Sequence, residues 1–210
     1  MVKILAVLGP KGGVGKSTLA SNLLVAARLD GLDAMGLDLD SQRSFAGWAA
    51  TRTATGREPT CVVAEGRVAG WRDMLPTAAG PALIVVDTPP GLEGEEHLEG
   101  LRDLALEADL VLVPALPKGP TLVKLRDVGA ALAAAGASLV FVLNETSPRR
   151  AMTAEARAYL REGAELCGVE VPSREDVHRA MTAGLAVVED PRFGAAAEMA
   201  ALWRFAAGRL

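Results

Sequence analysis

Hydrophobic residues in this chain form short continuous runs that alternate with longer segments of periodic pattern. Runs such as LIVVD and LVLVP are typical of parallel strands that are buried on both faces of a sheet. The runs predict strands at Val2–Leu8, Ala34–Leu39, Thr60–Ala64, Ala82–Asp87, Leu110–Pro114, Leu139–Asn144 and Val169–Pro172. The periodic segments predict helices at Lys16–Asp30, Ser44–Thr53, Val68–Ala79, Glu95–Glu107, Thr121–Ala135, Thr153–Cys167, Ser173–Ala183 and Ala195–Ala207.

This regular alternation predicts an α/β fold with a doubly wound, mostly parallel sheet and helices on both faces. Nothing along the chain has the composition of a linker or repeats itself, so we expect one domain over residues 1–210. In such a sheet, ligands bind at the carboxyl ends of the strands. The chemically informative residues of the chain follow those strand ends.

Composition narrows the class of protein. Hydrophobic residues make up 50% of the chain and charged residues 23%, which is ordinary for a soluble protein. No apolar run approaches the roughly 20 residues of a membrane-spanning helix, and the N-terminus fits a buried strand better than a signal peptide. Cys61 and Cys167 lie far apart without metal-ligand spacing, so free thiols in a reducing cytosol are expected. The net charge of −4 leaves room only for a local basic patch.

The strongest motif is KGGVGKST, residues 11–18, between the first predicted strand and the first predicted helix. Gly15, Lys16 and Ser17 fit the last three positions of the G-x-x-x-x-G-K-[ST] pattern, in which glycines and a helix N-terminus cradle phosphates. The first glycine of that pattern falls on Pro10, one residue after Gly9. We expect Lys16 to reach the terminal phosphates and Ser17 to ligate magnesium. The cradle itself is expected to comprise Gly12, Gly13, Val14 and Gly15. The general pattern does not require the second lysine, Lys11.

Three more strand ends carry polar side chains. Strand alternation would point Asp38 and Asp40 the same way, where they could hold magnesium or orient a water molecule. Asp87 ends an apolar strand, as the aspartate of the magnesium shell does in P-loop proteins. Asn144 offers the donor and acceptor that an adenine edge requires. Taken singly, each has a plain structural interpretation: a solvated strand end, the end of a buried strand, or a turn residue.

Taken together, these motifs resemble the ParA/MinD family of deviant Walker A ATPases, and most closely its short single-domain members. The resemblance covers essentially the whole chain, through KGGVGKST, DLDSQ followed by WAATR, VVDTPPG, ADLVLVP, VLN and the late segment VPSREDVHRAMTAGLAVVE. It implies an ATPase that uses Mg²⁺ and forms a homodimer with ATP sandwiched between the subunits. It also implies slow hydrolysis that a partner protein stimulates.

The resemblance also assigns roles to residues. Lys11 resembles the signature lysine that reaches the partner subunit's nucleotide, and Asp40 resembles the hydrolysis aspartate. Lys16 and Thr18 resemble phosphate-contacting residues. The remaining assignments are Ser17, Asp38 and Asp87 around magnesium, with Asn144 and the segment after Pro172 around adenine. One departure is Ser41, where the family has proline, so the loop that carries Asp40 lacks a fixed φ angle.

Three functions share this fold. A partitioning or positioning ATPase would bind DNA non-specifically, and Arg149, Arg150 and Arg179 are candidate phosphate contacts. A MinD-like membrane switch would end in a basic amphipathic helix, whereas Trp203 and Phe205 fit a helix packed on the domain better.

A metabolic enzyme or metal-cluster reductase is the third alternative. A reductase would need cysteines near the VVDTPPG segment, and the two cysteines lie elsewhere. The two histidines, His97 and His178, are isolated in sequence. We therefore expect a cytoplasmic, nucleoid-associated positioning ATPase without membrane binding, in which Trp48 is a packing residue and a family marker.

Overall fold

Seven parallel strands form one sheet at the centre of the protein. The computed structural model describes residues 2–9, 11–76, 80–91, 95–117, 121–147 and 151–210. The strands are β1 Lys3–Val7, β2 Ala34–Asp38, β3 Val63–Glu65, β4 Leu83–Asp87, β5 Leu110–Ala115, β6 Leu139–Leu143 and β7 Glu165–Leu166. Their order across the sheet is β3-β2-β4-β1-β5-β6-β7. The predicted parallel α/β fold is confirmed.

Helices cover both faces of the sheet. They are α1 Lys16–Leu29, α2 Ser44–Ala54, α3 Glu95–Glu107, α4 Thr121–Ala134, α5 Ala151–Arg161, α6 Glu175–Thr182 and α7 Ala196–Ala207, with 3₁₀ turns at Trp71–Met74 and Val187–Glu189. Within the described residues, no helix has the length and apolar character to cross a bilayer.

Side-chain alternation along each strand divides the core in two. In β1, Leu5 and Val7 pack with α1, α2, α6 and α7, whereas Ile4 and Ala6 pack with α3, α4 and α5. The direction in which each strand's connection crosses the sheet explains the division. The connections that follow β1 and β2 run towards the β3 edge, whereas those that follow β4, β5 and β6 run towards the β7 edge. Right-handed crossovers in opposite directions place their helices on opposite faces. The connections diverge around β1, which opens a crevice at its carboxyl end.

Two predicted helices are wrong in part. In the described portion of Val68–Ala79, only Trp71–Met74 is helical, as a 3₁₀ turn. Gly70 precedes this turn with φ +80°, and Pro76 follows it closely, so neither side extends as an α-helix. The predicted helix Thr153–Cys167 is instead α5, which ends at Arg161. Gly163 then passes close to α4, since a Cβ there would lie 2.4 Å from Arg126 Cγ.

The last predicted strand is also wrong. The seventh strand is Glu165–Leu166, whereas Val169–Pro172 contributes a single bridge between Thr146 and Pro172. A two-residue edge strand is too short to produce an alternating pattern. The third strand begins three residues later than predicted, at Val63.

Gly36 allows α2 to lie directly against β2, and its replacement tests this packing. A Cβ at Gly36 would lie 2.6 Å from two ring carbons of Phe45, so Gly36→Ala should destabilise the fold by about 1–3 kcal/mol. Gly47→Ala is the matched control on α2, because a Cβ at Gly47 meets nothing within 4 Å. Alanine favours a helix more than glycine does, so this variant should raise the free energy of unfolding by about 0.5–1 kcal/mol. Thermal unfolding measures both, and equal Tm values for the two variants would contradict the packing described.

Candidate functional site

The loop between β1 and α1 has the conformation of a phosphate cradle. Gly13 and Gly15 have φ values of +73° and +92°, in the left-handed region that favours glycine. Gly15 caps the N-terminus of α1, and Lys16 is the first residue of that helix. A Cβ at Gly15 would lie 2.2 Å from Asn144 Nδ2, so this position has no space for any side chain. Backbone N–H groups and a helix N-terminus therefore meet where an anion can bind.

A cavity of about 340 Å³ opens beside this loop. Its volume lies within the range of small-molecule sites in proteins. Besides the polar phosphate loop, the lining includes the apolar side chains Val177, Met181 and Met199, together with the polar residues Ser173, Arg174 and His178. We call the part lined by Val177, Met181 and Met199 the base end, because a nucleotide base would fit against these apolar side chains. The lining includes Gly12, Gly13, Gly15, Lys16, Ser17, Thr18, Asp40, Gln42, Ser44, Asn144, Pro172, Val177, His178, Met181 and Met199.

The two lysines of the loop have different environments. Lys16 is 6% exposed, and its Nζ donates to the backbone carbonyl of Lys11 at 3.0 Å. Burial lowers the pKa of Lys16, while the carboxylates of Asp87 and Asp40 oppose that change. Lys11 is exposed, and its side chain forms no hydrogen bond or ion pair with any described residue. One cation is therefore held inside the site, and the other extends from it.

Asp87 is a buried carboxylate without a hydrogen bond. It ends β4 with an exposed fraction of 0%, and neither oxygen has a partner in the described part of the chain. Burial raises the pKa of Asp87 to about 7. The Ser17 hydroxyl opposes this rise without reaching hydrogen-bonding geometry, and the negative charge of Asp38 adds to it. An orphaned carboxylate beside a serine hydroxyl suits a hard divalent cation.

Asp38 and Asp40 do not point the same way. β2 ends at Asp38, so strand alternation does not continue to Asp40. Asp38 turns inward, where Oδ1 accepts from Asp40 N at 3.0 Å and Oδ2 accepts from Phe45 N and Ala46 N at 3.0 and 2.9 Å. Burial raises the pKa of Asp38 despite these three donors. Asp38 therefore anchors α2, and Asp40 is the carboxylate that lines the cavity.

The loop after Asp40 is held without the proline that Ser41 replaces. Asp40 Oδ1 accepts from Gln42 N at 2.9 Å, which closes a local turn. Arg43 has φ +53° and pairs with Glu65 at 2.9 Å. These contacts, together with Asp38, supply a constraint that a proline ring would otherwise give.

Asn144 connects the phosphate loop to the base end of the cavity. It is buried, and its Nδ2 donates to the backbone carbonyl of Val14 at 2.8 Å. Asn144 thus supports the loop, while its side-chain oxygen forms no hydrogen bond with a described residue. Pro172 also lines the cavity, next to Val171.

Several lining residues were not predicted from the sequence. Gln42 and Ser44 enter because α2 begins beside Asp40. Val177 and Met181, spaced i and i+4 on α6, form the base end together with Met199 of α7. The i, i+4 spacing was a usable signal, whereas nothing in the sequence marked Met199.

Other predicted residues lie away from the cavity lining. Arg179 is exposed on α6, whereas Arg149 and Arg150 lie outside the described residues. Trp203 is 3% exposed and donates from Nε1 to Asp30, the residue that follows α1. Both cysteines are buried, and the part of the chain that is described contains no group of three His, Cys, Asp or Glu residues arranged for a metal.

Trp48 packs as predicted. It is 3% exposed, stacks on Phe45 with ring centroids 5.9 Å apart, and donates from Nε1 to the carbonyl of Leu185 at 3.0 Å. His178 lines the cavity although its isolation in sequence suggested a surface position, and it is indeed exposed. His97 is exposed on α3.

Known proteins share both sequence and fold with this chain. Residues 5–187 match the family model described as the CobQ/CobB/MinD/ParA nucleotide binding domain. Maintenance of carboxysome distribution protein A of Gloeobacter kilaueensis is 34% identical over 163 residues, which are 76% of this chain and 71% of that protein.

Solved structures show the same fold. A putative plasmid partition protein of Borrelia burgdorferi, bound to AMPPNP, has a TM-score of 0.77 at 15% identity over 100% of both chains. The septum site-determining protein MinD of Pyrococcus horikoshii, complexed with Mg-ADP, has a TM-score of 0.75 at 18% identity over 98% of this chain and 96% of its own. Because the family model spans most of the sequence and the cavity carries the phosphate loop, this chain belongs to the CobQ/CobB/MinD/ParA family of nucleotide-binding domains as an ATPase of the ParA/MinD type.

Proposed function

We propose that this protein is an ATP-dependent dimerising switch that positions a DNA or protein cargo by binding nucleoid DNA non-specifically. Relatives named for the maintenance of carboxysome distribution support a positioning role. The single structural observation that carries the proposal is the pair of lysines in the phosphate loop, of which Lys16 is buried and Lys11 is exposed with no partner among the described residues. An exposed cation at the edge of the site is available to the nucleotide of a second subunit.

The described residues fit a magnesium ion. Ser17 and Asp87 are the residues that would hold it, with Asp38 behind Asp87 on the neighbouring strand. Magnesium is commonly bound by one or two carboxylates together with substrate phosphates, so two protein ligands suffice. When bound, the ion neutralises phosphate charge. The unpaired oxygens of Asp87 then gain a partner.

Binding and hydrolysis use different residues of the chain. Lys16 releases the carbonyl of Lys11 and turns to the phosphates, while the N–H groups from Gly12 to Thr18 hold the remaining oxygens. Asp40 lies at the polar end of the cavity, where its carboxylate orients the attacking water. Asp38 keeps that loop in place through Asp40 N.

Lys11 supplies the reason for dimerisation. Hydrolysis builds negative charge on the γ-phosphoryl oxygens, and a cation provided by a second subunit stabilises it as an arginine finger does. Each subunit would carry one nucleotide and present Lys11 to the nucleotide of the other. ATP binding and dimerisation become coupled, so a partner protein that improves this geometry would stimulate slow hydrolysis and carry the cargo specificity.

DNA binding would follow from the dimer, which doubles the basic side chains presented to DNA. Arg179 is exposed on α6 and remains a candidate together with Arg149 and Arg150. The membrane alternative finds less support, because Leu202, Trp203 and Ala206 of α7 are buried against the rest of the protein. We therefore keep nucleoid DNA, and not a membrane, as the surface in the proposal.

Retention on non-specific DNA tests the proposal. At low salt, wild type with ATP and Mg²⁺ should bind DNA, and Lys16→Ala should lose at least about tenfold in affinity because it cannot hold the phosphates. Asp40→Ala should remain on DNA while its hydrolysis falls by about 10²–10⁴-fold, as expected when a group that positions water is removed. Sedimentation with DNA and phosphate release measure the two effects. Wild type without ATP-dependent DNA affinity would contradict the positioning role.

Asp87 should make nucleotide binding with Mg²⁺ depend on pH. As pH falls through about 7, Asp87 takes up a proton that the metal must displace, so affinity should fall by up to about tenfold per pH unit. Titrations without Mg²⁺ serve as the control and should change much less. If the nucleotide affinity depends on pH equally with and without Mg²⁺, Asp87 does not take part in binding the metal.

The same group gives a linked effect on stability. Since the folded-state pKa lies above the unfolded value of 3.8, Asp87 contributes stability at low pH that is lost as pH rises through about 7. Without nucleotide, the Tm of Asp87→Asn should therefore fall less than the Tm of wild type when the pH is raised from about 5 to 8.

A further inference from the structure

The segment after Asp40 contains two large buried side chains that nucleotide binding does not use. Trp48 and Arg52 both lie on α2, with exposed fractions of 3% and 0%. Both side chains have hydrogen-bond partners more than 130 residues away in sequence, in the turn between α6 and α7. This helix therefore makes long-range polar contacts from its interior face.

All three nitrogens of the Arg52 guanidinium donate hydrogen bonds. Its Nη2 and Nη1 donate to the two carboxylate oxygens of Glu189 at 2.7 and 2.9 Å. Nη1 also donates to the carbonyl of Gly184 at 3.1 Å, and Nε donates to that of Pro59 at 2.9 Å. Glu189 in turn accepts from Ala186 N at 2.6 Å. The guanidinium thus fixes the position of residues 184–189.

The backbones of the two elements also meet. Gly184 has φ +68°, and a Cβ there would lie 2.6 Å from Arg52 N. Trp48 Nε1 donates to the carbonyl of Leu185. Asn22 of α1 accepts from Val188 N at 3.2 Å on the other side of the turn. Residues 184–189 are therefore anchored to both helices that border the phosphate site.

This anchored turn leads directly to the base end of the nucleotide cavity. α6 ends at Thr182 just before the turn, and α7 begins at Ala196 shortly after it. Val177 and Met181 from α6 and Met199 from α7 line the cavity. We call these three side chains the base-end wall, and their position depends on the position of the turn.

The opposite end of α2 lies at the part of the cavity that Asp40 and Ser44 line. Asp38 accepts from Phe45 N and Ala46 N in its first turn, and the loop that carries Asp40 leads into it. An α-helix of 11 residues is a rigid element of about 16 Å. α2 thus contacts both the turn that connects to the base-end wall and the loop that holds Asp40.

Stability alone does not require an arginine at this position. Burying a guanidinium has a large desolvation cost, and well-packed apolar residues often stabilise a core at least as well. What the guanidinium provides is a planar fork whose donors fix direction as well as distance. Here that direction links α2 to Glu189 and Gly184.

We propose that Arg52 is a positioning residue that couples the base end of the nucleotide cavity to the Asp40 loop through α2. The fit of the base then sets the rate of γ-phosphate hydrolysis and not only the affinity for the nucleotide. This inference rests on the proposed ATPase site, since it takes that cavity as the place of hydrolysis.

Steady-state kinetics with ATP and UTP test the coupling, because the two share a triphosphate and differ in the base. Wild type should hydrolyse ATP with a kcat about tenfold or more above that for UTP. Glu189→Gln removes the charge that holds Arg52 and should reduce this ratio to below about threefold, mainly through a lower kcat for ATP. Trp48→Phe, which keeps the ring and removes the Nε1 donor, should reduce the ratio in the same direction if Glu189→Gln does not fold.

Asp109→Asn is the matched control. Asp109 accepts from Lys3 Nζ at 2.7 Å and from Ile4 N at 2.9 Å, at the amino end of β1 and far along the sheet from the cavity. The Asp109→Asn variant, like Glu189→Gln, loses one ion pair, but its ratio of kcat for ATP to kcat for UTP should equal that of wild type.

Two outcomes would overturn the coupling: a wild-type ratio near one, or variants with an unchanged ratio, whatever their Tm. A lowered Tm with an unchanged ratio would make Arg52 a structural residue only. Wild type that hydrolyses neither nucleotide would instead refute the proposed function, and the coupling with it.

Discussion

The buried carboxylate of Asp87 is the constraint on which the nucleotide site depends. A charge in the protein interior without hydrogen bonds costs several kcal/mol unless it is neutralised or paired, so Asp87 must hold a proton or meet a cation. The parallel sheet enforces this position, since β4 lies between β1 and β2 and ends beside the phosphate loop. The site is therefore completed by a ligand that brings its own cation, as a magnesium nucleotide does.

The other charges are distributed around this constraint. Both oxygens of Asp38 accept hydrogen bonds from backbone N–H groups, which orders the start of α2. Asp40 is the carboxylate that faces the cavity. Lys16 is buried within the electrostatic influence of Asp87 and Asp40, and Lys11 is exposed with no partner among the described residues. Under the proposed function, such a site would bind nucleotide alone and would need one more cation for efficient hydrolysis. That difference between binding and hydrolysis is what a switch requires.

Much of the fold and part of the site could be predicted from sequence because their signals are local. Continuous apolar runs identified the central strands, the bounds of α3 were predicted correctly, and glycine spacing located the phosphate loop. The failures involve contacts that local patterns do not record. The two-residue strand β7 exists through pairing with β6, and Gly70 and Pro76 limit the Trp71 segment to one turn.

The inward turn of Asp38 depends on where β2 ends, and Met199 reaches the cavity only through tertiary packing. The sequence marked Trp48 as a packing residue but gave no indication of its partner at Leu185.

The role of Lys11 across the dimer is the central claim, and mixing two inactive variants tests it most directly. Lys11→Ala keeps Asp40, and Asp40→Ala keeps Lys11, so a mixed dimer contains one site with its own Asp40 and the other subunit's Lys11. In an equal mixture about half of the dimers are mixed, which should restore about a quarter of the wild-type ATPase rate. If Lys11 acts only within its own subunit, no site in the mixture has both residues. ATPase activity that stays at the level of the separate variants would contradict the account.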